Sequence, residues 1–238
     1  YTRPPRLDES WRFYFVRGPR TAARLGLPTP VVLGDAAILL RTLPIFRPAK
    51  RHAISFMPHW QSARYGAWAE ASTAARMHLI DPRREPAAVL DDILASELLV
   101  TEALHGAIVA DALRVPWIPV SPLHGEHHFK WIDWAESLDL DFSFQPLVPS
   151  TWLEAATART AADPTTVRRL RRYGRPWRGV LRGRFVDHAA AALTTAAKSP
   201  PSLSADSKIS EVTERMVDRL DRLVADFEPS ALQRRSAR

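Results

Sequence analysis

The hydrophobic positions of this chain fall into two kinds of segment. Ala53–Met57, His78–Asp81, Leu98–Val100 and Trp117–Val120 are short runs, mostly apolar and without alternation, each followed by polar or turn-forming residues. Such runs suit strands that are covered on both faces. Between them, Trp68–Arg76, Glu85–Leu94 and Gly106–Leu113 carry helical spacing, clearest at Val89, Leu90, Ile93 and Leu94. Strands alternating with helices predict an α/β fold, with a parallel Rossmann-like sheet, flanking helices and right-handed crossovers. Upstream, Phe13–Val16 and Val31–Leu33 predict two more short strands. A helix opens at Arg17–Thr21 and stops at Gly26, and Gly34-Asp35 leads into the apolar Ala36–Leu40. Pro44–Pro48 has the composition of a linker.

The texture changes after Val120. Ser121–His128 is a polar loop, Phe129–Leu138 predicts a helix, and residues 139–150 look irregular. Helices are predicted over Thr151–Tyr173, with a break at Asp163-Pro164, and over Asp187–Lys198, before a loop at Ser199–Ser207. Lys208–Phe227 reads as an amphipathic helix with an apolar stripe through Ile209, Val212, Met216, Leu220, Leu223, Val224 and Phe227, followed by a frayed basic tail. The chain thus divides into residues 1–45, residues 46–150 and a helical, basic C-terminal region, 151–238.

Composition narrows the classes. A chain of 238 residues, 46% hydrophobic and 25% charged, is a globular protein with a sizeable core. No apolar run approaches the ~18 residues that a membrane-spanning helix needs. The absence of cysteine excludes disulfides, zinc thiolate sites and cysteine nucleophiles, and a cytoplasmic location is expected. Tyr1–Arg6 has neither the apolar core of a signal peptide nor an initiating methionine, so the natural N-terminus is expected upstream. The net charge of +7 is carried by arginine, since lysine occurs only at positions 50, 130, 198 and 208. A basic surface favours anionic partners.

The segment Thr101–Leu113 joins a predicted strand to a helix through a turn that holds His105 and Gly106. In an open α/β sheet this turn lies at the carboxyl edge, where ligands bind. A histidine there sits beside free helix N–H groups and a partial positive charge, an arrangement fit for an anion. Glu102 precedes it and is placed to orient His105 or to act as a base. Arg17 and Arg20 lie at another strand-to-helix turn, where guanidinium groups grip phosphate or carboxylate. His59 and Trp60 follow a strand at the same edge. Lys130 can meet a phosphate, and Trp131 can stack on a sugar face. His124, Glu126, His127 and His128 lack the His-Glu-x-x-His spacing of a helical metal site, and no metal is expected. Eight arginines in 168–184, with Tyr173 and Trp177 among them, fit peripheral contact with an anionic membrane better than sequence-specific nucleic-acid binding.

Several of these residues resemble the polysaccharide pyruvyl transferase family. Ala103-Leu104-His105-Gly106, with Arg114-Val115-Pro116-Trp117 after it, is similar to the family's histidine turn, apolar helix and Pro-Trp strand. Phe15-Val16-Arg17-Gly18-Pro19-Arg20-Thr21, Leu25-Gly26 and Gly34-Asp35-Ala36-Ala37 resemble its Val-Arg-Asp, Leu-Gly and Asp-Pro-Ala passage. Lys130-Trp131-x-Asp133-Trp134 looks like the succinoglycan-type subgroup. The resemblance spans residues 13–138 and departs from the family at Ala103, where an arginine is expected. It implies a two-domain fold like that of type-B glycosyltransferases, with residues 1–45 as the end of a first domain and 46–150 as the second. It implies transfer of a pyruvyl group from phosphoenolpyruvate to a hexose of a lipid-linked or polymeric exopolysaccharide, as a ketal, without a cofactor.

On that implication Arg17 and Arg20 hold the donor, while Gly106 lines the same turn as His105. The histidine is then either a general acid or a ligand of the departing phosphate. His59, Trp60, Lys130 and Trp131 meet the acceptor. Two other readings stay open: a nucleotide-sugar glycosyltransferase of the same architecture, and an inactive truncated remnant or basic accessory protein.

Overall fold

The computed structural model describes residues 7–123, 128–160 and 178–227. Its centre is a four-stranded sheet in the order β2-β1-β3-β4, formed by β1 (His52–Met57), β2 (His78–Leu79), β3 (Ser96–Thr101) and β4 (Trp117–Pro119). Every pairing is parallel, with Ser55 opposite Leu99 and His78, and Val100 opposite Ile118. The expected α/β class is therefore observed.

Both faces of the sheet are covered, which explains the unalternating strands. Side chains alternate between faces along a strand, and here each face meets its own apolar cluster. Leu99 and Trp117 join a cluster with Leu33, Ile38, Ile108 and Ile209. Val100 and Ile118 point the other way, to Phe56, Trp68, Ala189 and Leu193. The first face is closed by α4 (Pro86–Leu94), α5 (Leu104–Ala112), α6 (His128–Ser137) and α9 (Asp206–Phe227). The second is closed by α3 (Trp68–Ala74) and α8 (Arg178–Ala196), with α7 (Trp152–Thr160) beside α8. On α9 the stripe Ile209, Val212 and Met216 is fully buried, whereas Leu220, Val224 and Phe227 further along are exposed. Its far end meets the N-terminal segment, where the Tyr14 hydroxyl donates to Asp226 at 2.6 Å.

Several local expectations change. Instead of strands at Phe13–Val16 and Val31–Leu33 there is a single parallel bridge, Val16 to Val32, and Thr29–Val31 forms a turn of 3-10 helix. Pro28 and Pro30 fix their own φ and offer no N–H, which defeats a strand just before Val31. The apolar Ala36–Leu40 also lies in a 3-10 helix, Ala36–Thr42, capped by the Asp35 side chain on the Ala37 amide at 3.1 Å. The helix α1 (Pro19–Leu25) forms as expected, with Pro19 in its first turn and Gly26 at its end. A short helix α2 (Trp60–Tyr65), six residues and too brief to show a period, follows β1 where the sequence marked no element. The helix expected at Asp187–Lys198 starts earlier, at Arg178. Residues 161–173 of the helix expected at Thr151–Tyr173 lie outside the described residues, as do Asp163-Pro164 and the tail. No helix among the described residues is long and apolar enough to cross a membrane.

Candidate functional site

Three loops leave the carboxyl edge of the sheet, after β1, β3 and β4, and one buried carboxylate ties them together. Glu102, 1% exposed, follows β3 directly. It accepts from the His59 amide at 2.8 Å, the Ser62 hydroxyl at 3.0 Å and the Leu123 amide at 3.0 Å. Burial pushes its pKa up, against the pull of the Leu123, His59 and Ser62 donors. Its oxygens are occupied by loop backbone and Ser62, so Glu102 builds the edge. The carboxylate beside the His105 ring belongs to another residue, Asp35.

The helix α5 begins at Leu104, two residues before the expected start, which places His105 in its first turn rather than ahead of it. The first amides of a helix have no intrahelical acceptor, and Ala103 at the cap of α5 offers no side-chain acceptor in its place. Its methyl group is buried in the apolar cluster. Gly106 faces inward. A Cβ there would stand 2.7 Å from the Thr101 hydroxyl and 2.8 Å from the Met57 sulfur, so glycine is what lets the helix start lie on the ends of β1 and β3.

His105 is 70% exposed, and its Nε2 lies 3.8 Å from Asp35 Oδ2. The same carboxylate oxygen lies 3.8 Å from Arg17 Nη1. Arg17 Nε is 3.6 Å from Asp133 Oδ2, is shielded from solvent and has no hydrogen-bond partner among the described residues. Asp133 is fixed on α6 by the Thr21 amide at 3.0 Å and the Thr21 hydroxyl at 2.5 Å. Gly18 makes this junction close: a Cβ there would overlap the Asp133 carbonyl oxygen, at 1.9 Å. The arrangement brings a guanidinium and an imidazole to one carboxylate at the rim of α5. Both separations are too long for hydrogen bonds, so neither side chain spends a donor on Asp35.

The other expected residues are distributed as follows. Arg20 is engaged at the surface, with Nε and Nη2 on Glu136 at 2.6 to 3.0 Å. Trp60 is 49% exposed on α2, its ring tilted against His59 at 5.8 Å. Lys130 is half-buried on α6. Trp131 does not reach the surface: it is 1% exposed and packs with Trp117, Trp134, Phe142 and Phe144. The periodicity that placed it on a helix did not say which face would be core. His124, Glu126, His127 and most of the arginine run lie outside the described residues.

Sequence reasoning did not single out Asp35 or Asp133, because their partners come from distant parts of the chain. Both stand only inside longer stretches, Asp35 in Gly34-Asp35-Ala36-Ala37 and Asp133 in Lys130-Trp131-x-Asp133-Trp134, without a role of their own.

A second charged group sits at the opposite, amino edge. The rings of His52 and His78 stack at 3.7 Å, and His78 Nε2 lies 3.3 Å from Asp92 Oδ2. Among the described residues this trio has metal-ligand composition, with ligand atoms within 4.8 Å of one another. Arg84 already holds Asp92 at 2.5 Å and Arg51 stands 3.9 Å away. Two guanidinium groups offset the charge that would attract a cation, and we assign no ion to this cluster.

The family model described as polysaccharide pyruvyl transferase matches residues 6–124, which include Arg17, Asp35, His59, Glu102 and His105. The chain is also 34% identical over 241 residues to the "Succinoglycan biosynthesis protein ExoV" of Rhizobium meliloti (strain 1021), covering 92% of this chain and 76% of that protein. No solved structure matches it.

Proposed function

The chain belongs to the polysaccharide pyruvyl transferase family, and we propose that it transfers the pyruvyl group of phosphoenolpyruvate to a hexose of an exopolysaccharide repeat unit as a ketal. The observation that carries this reading is the convergence of Arg17 and His105 on Asp35 beside the open start of α5. A donor with a phosphate and a carboxylate needs several fixed cations and N–H groups. Arg17 supplies a guanidinium where Ala103 supplies none. Asp35 lies 3.8 Å from both side chains and takes a hydrogen bond from neither.

In the proposed reaction His105 gives a proton to the methylene carbon of the donor, a step suited to histidine. One sugar hydroxyl adds to the neighbouring carbon as it becomes electron-poor. Phosphate then leaves, and a second hydroxyl of the same sugar adds at the same carbon to close the ketal. The two hydroxyl protons replace the one given by His105 and neutralise the departing phosphate. His59 and Trp60, at the loop after β1, would border the acceptor. No step calls for a cofactor.

The test is incubation of the chain with phosphoenolpyruvate and neutral oligosaccharides cut from an exopolysaccharide. Phosphate release and the ketal methyl resonance are followed together. Equal amounts of phosphate and ketal are expected. Absence of ketal across a range of hexose acceptors overturns the reading.

A further inference from the structure

A groove with a volume of about 920 Å³ opens beside the outer edge of β4, in the upper range of ordinary ligand cavities, about 300–1,000 Å³. One wall is the irregular segment Leu138–Gln145; the other is the loop Pro200–Ala205 with the start of α9 as far as Glu211. Backbone bonds pin both walls to the strand. Gln145 donates to Pro119 at 2.9 Å and accepts from Ser121 at 2.8 Å, while Ser202 donates to Trp117 at 2.7 Å and accepts from it at 3.1 Å. The spacing between the walls is therefore set by the sheet.

The lining is unlike that of the Arg17–His105 group. Three acids border the groove, Asp139, Asp141 and Glu211, against one cation, Lys208. Lys208 is held by Asp139 at 2.7 Å. Asp141 is in no ion pair among the described residues. An anionic donor is repelled here. Gln145, Ser143 and Ser207 add amide and hydroxyl groups, and Phe142 and Leu203 add apolar surface between them. Carboxylates, amides and hydroxyls set around apolar faces match a neutral polyhydroxylated ligand, whose hydroxyls need both donors and acceptors and whose ring C–H faces are apolar. One end of the groove reaches the carboxyl edge of the sheet, and the other lies by Trp117 at the amino end of β4. At the first end Gln145 bonds to Ser121, two residues from the Leu123 amide that donates to Glu102.

We infer that this groove binds a neutral stretch of the acceptor glycan, further along the chain than the sugar that receives the pyruvyl group. The inference rests on the polysaccharide-acceptor reading above. A polymeric acceptor extends beyond its reacting sugar, and surface that grips the remainder contributes affinity without touching the chemistry.

Two variants, Ser143→Trp, which fills the groove, and Asp141→Ala, which removes an acceptor, are compared using a neutral hexasaccharide and the corresponding monosaccharide. KM for the hexasaccharide should rise about tenfold in each variant, with kcat and the monosaccharide kinetics unchanged. An unchanged hexasaccharide KM in both variants overturns the inference. Chemical-shift mapping with the same hexasaccharide gives a readout that does not need turnover. Saturable shifts at residues 140–145 and 202–207 support the groove, and no saturable shift there overturns it. If no acceptor is pyruvylated, the proposed reaction falls, and the mapping still decides the groove.

Discussion

At the carboxyl edge of the sheet His105 faces Asp35 at 3.8 Å, with Arg17 on the same oxygen at 3.8 Å. At the amino edge His78 faces Asp92 at 3.3 Å, with Arg84 on the same oxygen at 2.5 Å. Residue types are matched, but their states differ. The Arg84–Asp92 pair is a completed hydrogen bond, and the imidazole of His78 is covered by the ring of His52. These groups clamp β1, β2 and α4 together and leave little for a ligand. The Arg17 and His105 separations exceed hydrogen-bonding distance, and His105 is 70% exposed. Charge type alone does not separate a site from a clamp; the fraction of donors already spent does.

The largest expected effect breaks the comparison from the carboxyl side. His105→Ala should lower turnover by about 10²–10⁴-fold, the ordinary contribution of a general acid, and leave the melting temperature unchanged because the side chain is exposed. Asp92→Ala should do the reverse. It leaves the Arg84 donor without its acceptor and removes the carboxylate beside His78, so stability should fall by about 1 kcal/mol while turnover stays at the parent level. Steady-state kinetics and denaturant unfolding on the two variants check both outcomes. A stable, inactive Asp92→Ala would reverse the assignment of the two edges.

Much of the central sheet was legible because burial on both faces leaves a simple signature. β1, β3 and β4 lie where mostly apolar runs without alternation stood, and α4 and α5 fall where helical spacing stood. The first 45 residues were harder. Val31–Leu33 looks like a strand by content, yet the prolines at 28 and 30 impose a tighter turn. The site was legible as a set of turns, since a histidine and glycine after a strand have a defined place in an α/β sheet. Its charge geometry was not. Asp35 serves His105 and Arg17 across long sequence separations, and Asp133 meets Arg17 only after α6 docks on α1. Glu102 next to His105 invites a pairing by adjacency, yet its oxygens face the neighbouring loops.

The two edges should also respond to opposite ends of the pH scale. At the carboxyl side, Glu154 lies behind the loops, accepting from Trp68 Nε1 at 2.7 Å and the Ser150 amide at 2.6 Å. Burial pushes its pKa from 4.5 to about 8, despite the Ser150 and Trp68 donors. A folded pKa above the unfolded one means that the folded state holds the extra proton. That contribution is complete below 4.5 and is lost as pH rises through about 8. At the amino side burial works to raise the pKa of Asp92, but His78 and Arg84 outweigh it, and the net direction is down from 3.8. Its contribution is therefore present above 3.8 and is lost as pH falls through the lowered folded value. Glu154→Gln should flatten the loss of stability between neutral and mildly alkaline pH, and Asp92→Asn should flatten the loss in acid. Unfolding free energy measured against pH checks both. A parent-like alkaline slope in Glu154→Gln would place that proton elsewhere.

The smallest expected effect sharpens the comparison within the carboxyl edge, where two arginines of one turn differ as the two edges differ. Arg20 has its fork filled by Glu136 in an exposed pair, and such pairs contribute little to stability. Arg17 lies 3.8 Å from Asp35 through Nη1 and 3.6 Å from Asp133 through Nε, beyond good hydrogen-bonding distance, so its Nη groups are not committed as those of Arg20 are. Arg17→Ala should raise KM for phosphoenolpyruvate by about tenfold to a hundredfold, the range of one or two charge-assisted hydrogen bonds. Arg20→Ala should change it by about twofold at most, because its donors are already committed. Donor titrations at saturating acceptor read both values. If Arg20→Ala were the more damaging variant, the Glu136 pair would have to open on donor binding. Spent donors would then no longer distinguish a structural arginine from a binding one at this edge.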